Sequence, residues 1–178
     1  MAYALRRATE DDAGFLWGML YEASYAAENG VADVAALRAR PEFARYVEGW
    51  GNRTDLGVIA VDDDAHEPVG AAWLRLLTGE AKGYGYVDDD TPELAIAVLP
   101  GHRGRGLGGR MLGELLEAAT GSFAAVSLSV QADNPSYRLY ERTGFRVAVE
   151  SESGEPTAGG SVTMKFELRG LTTGSGAG

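Results

Sequence analysis

Two hydrophobic periods alternate along this chain, and the points where one gives way to the other mark its elements. Tyr3 to Ala8 reads as a short first strand. Thr9-Glu-Asp-Asp12 then has the form of an N-cap with acids in the first helical turn, where they suit the helix dipole. The helix that follows carries Phe15, Leu16, Met19, Leu20 and Ala23 on one stripe and closes at Asn29-Gly30. A second helical region spans about Asp33 to Trp50, with Pro41 expected to break or restart it. The period shortens to two over Leu56 to Val61 and Val69 to Leu77, a strand pair around the acidic turn Asp62 to Pro68, which is a hairpin pattern. Gly79 to Pro92 is a polar, glycine-rich loop.

The loop delivers the chain to Glu93, where the apolar run Glu93 to Leu99 predicts a strand that passes through Pro100 into a glycine and arginine cluster. Met111, Leu112, Leu115, Leu116, Ala118 and Ala119 recur at helical spacing, so a helix runs from Leu107 to Ala119. Val126, Leu128 and Val130 alternate with Ser127 and Ser129 in the next strand. Strand, crossover helix and strand imply parallel pairing by a right-handed connection. Asp133-Asn-Pro-Ser136 caps a short helix over Ser136 to Arg142, which ends at Thr143-Gly144. Phe145 to Val149 and Val162 to Leu168 form a final antiparallel pair across the segment 150 to 161. No internal repeat is present.

Composition narrows the chemistry. The chain has 178 residues and 45% hydrophobic content, which suits one domain over residues 1–169, and Gly170 to Gly178 lacks residues to bury and is expected to be a disordered tail. No apolar run approaches a membrane span or a signal peptide, so a cytoplasmic protein without a membrane partner is expected. Zero cysteines remove disulfides, thiolate metal sites and a cysteine acyl-enzyme, and two histidines far apart give no basis for a metal. His66 reads as a solvated turn residue. A formal net charge of −10 argues against a nucleic-acid partner.

Against that acidity, His102, Arg103, Arg105 and Arg110 fall within nine residues without an acid among them. A charged cluster is usually a solvated surface. Here glycines interleave it between a strand and a helix N-terminus, which is where an anion binds. Gly104-Arg-Gly106-Leu-Gly-Gly109 also satisfies the dinucleotide pattern Gly-x-Gly-x-x-Gly, but a Rossmann domain places that motif after its first strand, and here helices and a hairpin precede it. A Walker loop fails because no Gly-Lys-Ser/Thr follows.

Two motifs in order resemble the GNAT superfamily of acyl-CoA-dependent N-acyltransferases. Arg103-Gly-Arg-Gly106-Leu-Gly108 fits its pyrophosphate motif, directly after the strand Glu-Leu-Ala-Ile-Ala-Val-Leu-Pro. Asn134-Pro-Ser-Tyr-Arg-Leu-Tyr140-Glu-Arg-Thr-Gly-Phe145 fits the pattern of its later helix and strand. Together they cover Glu93 to Phe145, and the two helices and hairpin upstream agree with the family's order. The resemblance implies a mixed, twisted α/β sheet of about six to seven strands, largely antiparallel with a central parallel pair and flanked by about four helices. It further implies that acetyl-CoA is the acyl donor, with no metal.

The residue types suit those tasks. Gly104, Gly106 and Gly108 let backbone N–H groups approach a pyrophosphate, and Arg103, Arg105 and Arg110 can add charge-assisted hydrogen bonds. By resemblance the strand Leu94 to Val98 binds the pantetheine arm along its backbone, so Ile96, Ala97 and Val98 join Arg103, Gly104, Arg105, Gly106, Leu107 and Gly108 as cofactor-binding residues. Asn134, Ser136 and Tyr140 complete that set by the same resemblance. If the strand parts from its neighbour near Ala97, a backbone N–H there can stabilise the tetrahedral oxyanion.

Two proton steps remain, and Glu93 is the candidate general base while Tyr140 matches the family tyrosine that faces the cofactor sulfur and serves as general acid. The resemblance implies that the acceptor is a primary amine of a small molecule or peptide. The acidic run Asp88 to Asp90 favours a cationic one. Trp17, Tyr21, Tyr25, Tyr46 and Trp50 are either core or an aromatic wall around it. A noncatalytic acyl-CoA sensor on the same fold is the alternative, set back by the presence of both Glu93 and Tyr140. Oligomeric state is left open by the sequence, a homodimer included.

Overall fold

The computed structural model describes residues 2–149 and 160–168. Among the described residues seven strands and five helices follow one another as β1 (Tyr3–Arg7), α1 (Ala13–Ala23), α2 (Val34–Arg38), α3 (Pro41–Ala44), β2 (Leu56–Asp62) and β3 (Pro68–Arg75), then β4 (Glu93–Val98), α4 (Leu107–Ala119), β5 (Ala125–Gln131), α5 (Ser136–Thr143), β6 (Arg146–Val149) and β7 (Ser161–Glu167). The strands form one sheet in the order β1-β2-β3-β4-β5-β7-β6. Pairs β1–β2, β2–β3, β5–β7 and β6–β7 are antiparallel, and β4–β5 is parallel. This is the mixed sheet expected, with one more helix because the region around Pro41 divides: Ala39 caps α2, and Pro41 opens α3 at a first-turn position that needs no N–H.

Two compact units emerge, Met1–Arg75 with Ala95–Leu115, and Leu76–Leu94 with Leu116–Gly178. In the first, Thr9 and Asp12 make a reciprocal capping box, and the Asp12 carboxylate also takes two hydrogen bonds from Arg6 at 2.8 Å. Arg6 holds the Asp12 carboxyl below its ordinary range. The entry to α1 is thereby tied to β1, and α1 buries Leu16, Trp17, Met19 and Leu20. Trp73 of β3 is fully buried and donates its indole N–H to the Tyr46 carbonyl. Arg75 reaches the Asp55 carboxylate and the carbonyls of Arg45 and Glu48, so a buried cation is answered on several sides.

In the second unit β5 runs in full register with β7 from Ala125↔Glu167 to Gln131↔Ser161. The pleat splits these strands by face. Val126, Leu128, Val130, Met164 and Phe166 share one face, and Ser127, Ser129, Thr163 and Lys165 the other. Most of the segment 150 to 161 and the expected tail 170–178 lie outside the described residues. Among the described residues no helix is long and apolar enough to cross a membrane, and no cluster of His, Cys, Asp and Glu could hold a metal ion.

Candidate active site

The first unit carries the strand–turn–helix that the glycines and arginines predict. Ala95 to Leu99 are half-buried, so β4 keeps backbone within reach of a ligand. The Leu99 N–H is anchored on the Val69 carbonyl at 2.8 Å, and Pro100 to His102 make a single 3-10 turn. Gly104 and Gly106 then adopt φ values of 74° and 79°, a left-handed conformation that side chains disfavour. A Cβ on either would meet nothing within 4 Å. The requirement is therefore for backbone direction and open space, which is what an approaching anion needs. α4 starts at once with Leu107, which is buried and fixes the helix end while its first N–H groups lack helical acceptors.

The arginines around this turn differ in their partners. Arg103 donates its Nε–H to the Val98 carbonyl at 2.9 Å and an Nη2–H to Glu22 of α1 at 3.1 Å. Its side chain is half exposed, so the pair is a weak, solvent-screened one, worth about 0.2–1 kcal/mol. Arg110 is directed to the Tyr3 carbonyl at 3.2 Å. Arg105 is exposed. His102 sits beside this turn with Nδ1 2.9 Å from the Tyr3 hydroxyl and 3.9 Å from Asp62. Glu22 was not expected from sequence: an ordinary acid on a helix, 81 positions from Arg103, carries no local signal.

The second unit holds Glu93, Asn134, Ser136 and Tyr140. Glu93 is not the exposed strand-end carboxylate its position suggests. The residue is 2% exposed, and its two oxygens accept the Gly83 N–H at 2.9 Å and the Gly85 N–H at 2.8 Å. Its register partner across the parallel pair is Ser127, fully buried, whose Oγ has no hydrogen-bond partner among the described residues. Asn134 accepts the Ser136 N–H at 2.9 Å and so closes the turn that opens α5. Tyr140 is buried at the last turn of α5. Gly144, at φ 119°, sends its N–H to the carbonyls of Tyr140 and Glu141, and the Phe145 N–H also bonds Tyr140 O. The Phe145 ring lies 5.7 Å from Tyr140 and 5.3 Å from Phe166. The Tyr-x-x-x-Gly-Phe spacing thus fixes the tyrosine by a left-handed cap and an aromatic anchor.

The acidic loop between Gly79 and Pro92 spends its carboxylates on itself. Asp88 accepts from the Asp90 N–H and the Thr91 hydroxyl, which hold its carboxyl below the ordinary range, the Thr91 bond contributing most. Asp89 accepts from the Tyr86 hydroxyl at 2.6 Å and pushes that phenol up to about 12. The five aromatics proposed as core or wall divide. Trp17 and Tyr46 are buried, Tyr21 and Trp50 donate to the carbonyls of Val31 and Thr9, and Tyr25 is exposed.

The sequence matches the model of the acetyltransferase (GNAT) family over residues 17–145. A search of the curated proteins finds no match. Among solved structures the chain is similar to a GNAT-family acetyltransferase from Staphylococcus aureus Mu50, with 15% identity, a TM-score of 0.65 and coverage of 94% of this chain and 99% of the other. It is similar to the spermidine/spermine N-acetyltransferase SpeG from Vibrio cholerae, with 16% identity, a TM-score of 0.59 and coverage of 94% and 96%. A third is the PaiA N-acetyltransferase from Thermoplasma acidophilum, solved with coenzyme A, at 16% identity, a TM-score of 0.57 and coverage of 94% and 99%. Identities this low speak for the fold alone, but the family match spans well over half the chain, and the chain belongs to the GNAT acetyltransferase family.

Proposed function

We propose that this chain transfers the acetyl group of acetyl-CoA to a primary amine of a small molecule or peptide, by direct attack in a ternary complex and as a single catalytic domain. The observation that carries the cofactor half is the open turn at Gly104 and Gly106, both at positive φ and leading straight into α4. Backbone N–H groups and a helix N-terminus together favour a pyrophosphate there. Arg103 and Arg105 supply cationic donors from the rim, while Ile96, Ala97 and Val98 offer backbone to the pantetheine arm and Leu107 and Gly108 begin the helix beneath the phosphates. Asn134 and Ser136 are proposed contacts of the same arm.

The amine nitrogen attacks the thioester carbonyl carbon, a C–N bond forms, and collapse of the tetrahedral intermediate breaks the C–S bond. A backbone N–H near Ala97 steadies the oxyanion. Tyr140 gives its phenolic proton to the departing thiolate, and the ammonium proton leaves directly or through water, Glu93 being the candidate that the sequence offers to take it. A carboxylate oxygen keeps a second lone pair while it accepts an N–H, so proton transfer to Glu93 is chemically open, but its burial limits access. Asp88 to Asp90 leave the loop strongly negative, which supports a cationic acceptor such as a polyamine, a basic peptide or an aminoglycoside.

Free-thiol release from acetyl-CoA across a panel of amines, antibiotics and peptides tests this reading, with water as control acceptor. Amine-dependent release is expected. Tight binding of acetyl-CoA with release at the water rate for every amine would replace the enzyme by a sensor.

A further inference from the structure

The contacts that bury Glu93 have a common target: they hold one short segment, Gly83-Tyr84-Gly85, by both of its glycines. The residue between the two held amides, Tyr84, is 58% exposed, the most exposed large hydrophobic residue among those described. The segment also lies hard against β5. A Cβ on Gly85 would come 2.6 Å from the Leu128 carbonyl carbon and 2.8 Å from the Ser129 nitrogen, distances real Cβ atoms do not show. Gly85 is thus pressed onto strand backbone from one side and bound by a carboxylate from the other. Lys82, the residue before this segment, places its ammonium 4.3 Å from the Tyr86 ring centroid, and Tyr86 in turn bonds Asp89. Contacts on both sides of Tyr84 make the loop a shaped platform.

We propose that Glu93 is a positioning residue, the latch that fixes the Gly83–Gly85 segment and displays Tyr84 as a specificity-determining contact for the amine acceptor. This rests on the acetyl-transfer reading for its consequence, though the latch stands on geometry alone. Two N–H donors converging on one buried carboxylate are stronger than neutral hydrogen bonds, and the buried Gly85 amide has no solvent to fall back on if the carboxylate is removed. An aromatic ring held up on such a base presents a face to an ammonium or to the alkyl chain of an amine at little entropic cost. In this arrangement the acid that heads β4 selects the acceptor through Tyr84 and does not take its proton.

Glu93→Gln separates the roles. Its amide keeps the size of the side chain but turns one acceptor into a donor that faces a backbone N–H. In the full-length variant, hydrogen exchange at Gly83 and Gly85 is expected to accelerate tenfold or more while β5 and β7 keep their protection. With the fastest acceptor from a panel of alkylamines, polyamines and lysyl peptides, KM for the amine should rise at least fivefold. Acetyl-CoA affinity should hold, and the acid limb of the kcat profile should persist. Tyr84→Ala should raise the same KM without loosening the two amides. Unchanged exchange in Glu93→Gln would overturn the latch. A collapse of kcat with loss of the acid limb at constant KM would make Glu93 the base instead, and an unchanged KM in Tyr84→Ala would remove Tyr84 from recognition. A panel without any acceptor removes the acetyl-transfer reading and the role of Tyr84 with it, and exchange then decides the latch by itself.

Discussion

One glycine-rich stretch precedes β4 in the chain and another follows it, and they use glycine for opposite reasons. At Gly104 and Gly106 the backbone turns left-handed into open space. At Gly85 space is what is missing, because strand backbone fills the volume a side chain would need. The amides differ in the same sense. Those of Gly83 and Gly85 are already met by a carboxylate of the chain itself, whereas the first turn of α4 begins with N–H groups that the helix cannot satisfy. One stretch is a finished internal structure, and the other leaves open the backbone where we propose the pyrophosphate binds. A glycine-rich segment announces a ligand only where its N–H groups remain unanswered.

Chemistry at Tyr140 gives the largest change expected among variants that retain both stretches. Tyr140→Phe should lower kcat by about 10²–10⁴, the usual worth of a general acid, and leave acetyl-CoA affinity within a few-fold. Equal turnover would return Tyr140 to a purely structural role beside Phe145. Gly85→Ala comes next. Because the intruding carbon meets backbone, the strand or loop must move, at about 1–3 kcal/mol of stability, and chemical denaturation should show it. Gly104→Ala, by contrast, pays only the left-handed strain of about 1–2 kcal/mol and meets no neighbour. If both variants also lose acetyl-CoA affinity to the same degree, the contrast between the two stretches fails.

Smaller effects test the edges of the comparison. With Arg103 in its proposed role on the phosphate, Glu22 is a competitor for it, so Glu22→Gln should tighten acetyl-CoA binding by about 1.4- to 5-fold at low ionic strength, corresponding to a surface pair of about 0.2–1 kcal/mol. The gain should fade in high salt, and a salt-independent effect would mean that Glu22 acts otherwise. Smallest is a pH effect confined to the filled loop. The Asp88 carboxyl is held low, chiefly by the Thr91 hydroxyl, so its contribution is complete above the ordinary Asp range near 4 and is lost as pH falls through the depressed folded value. Exchange in residues 86–91 should therefore quicken below about pH 4, and Asp88→Asn should remove most of that pH dependence.

Much of this was readable in the chain because it depends on local rules. Leu107 to Ala119 was expected as a helix and is α4, since its apolar stripe, its glycine lead-in and its stop at Thr120-Gly121 all agree. Gly144 had a local meaning too, the stop of a short helix, and it caps α5 in the left-handed conformation. Asp33 to Trp50 was less legible, because Pro41 signals an interruption without saying how little helix survives on either side of it. Glu93 exposes the main limit. As a strand-opening acid after three aspartates it looks solvated, and only the return of Gly83 and Gly85 against β5 buries it. The Arg103–Glu22 pair was hidden for the same reason, whereas Asp88 and Asp89 bond partners three positions away in their own loop, a local geometry that composition does not reveal. Long-range closure decides which charged groups face a ligand, and periodicity carries no information about it.

The central claim is that the open turn receives the cofactor's pyrophosphate, and calorimetric titration of acetyl-CoA into wild type and Gly106→Asp tests it most directly. Aspartate there adds bulk and a negative charge at the proposed position of the anion, and its Cβ would meet nothing within 4 Å. One-to-one binding by the wild type is expected, together with a loss of at least about 100-fold in the variant, whose thermal unfolding should shift by no more than the few degrees that left-handed strain costs. Equal affinities in two equally folded proteins would contradict the account.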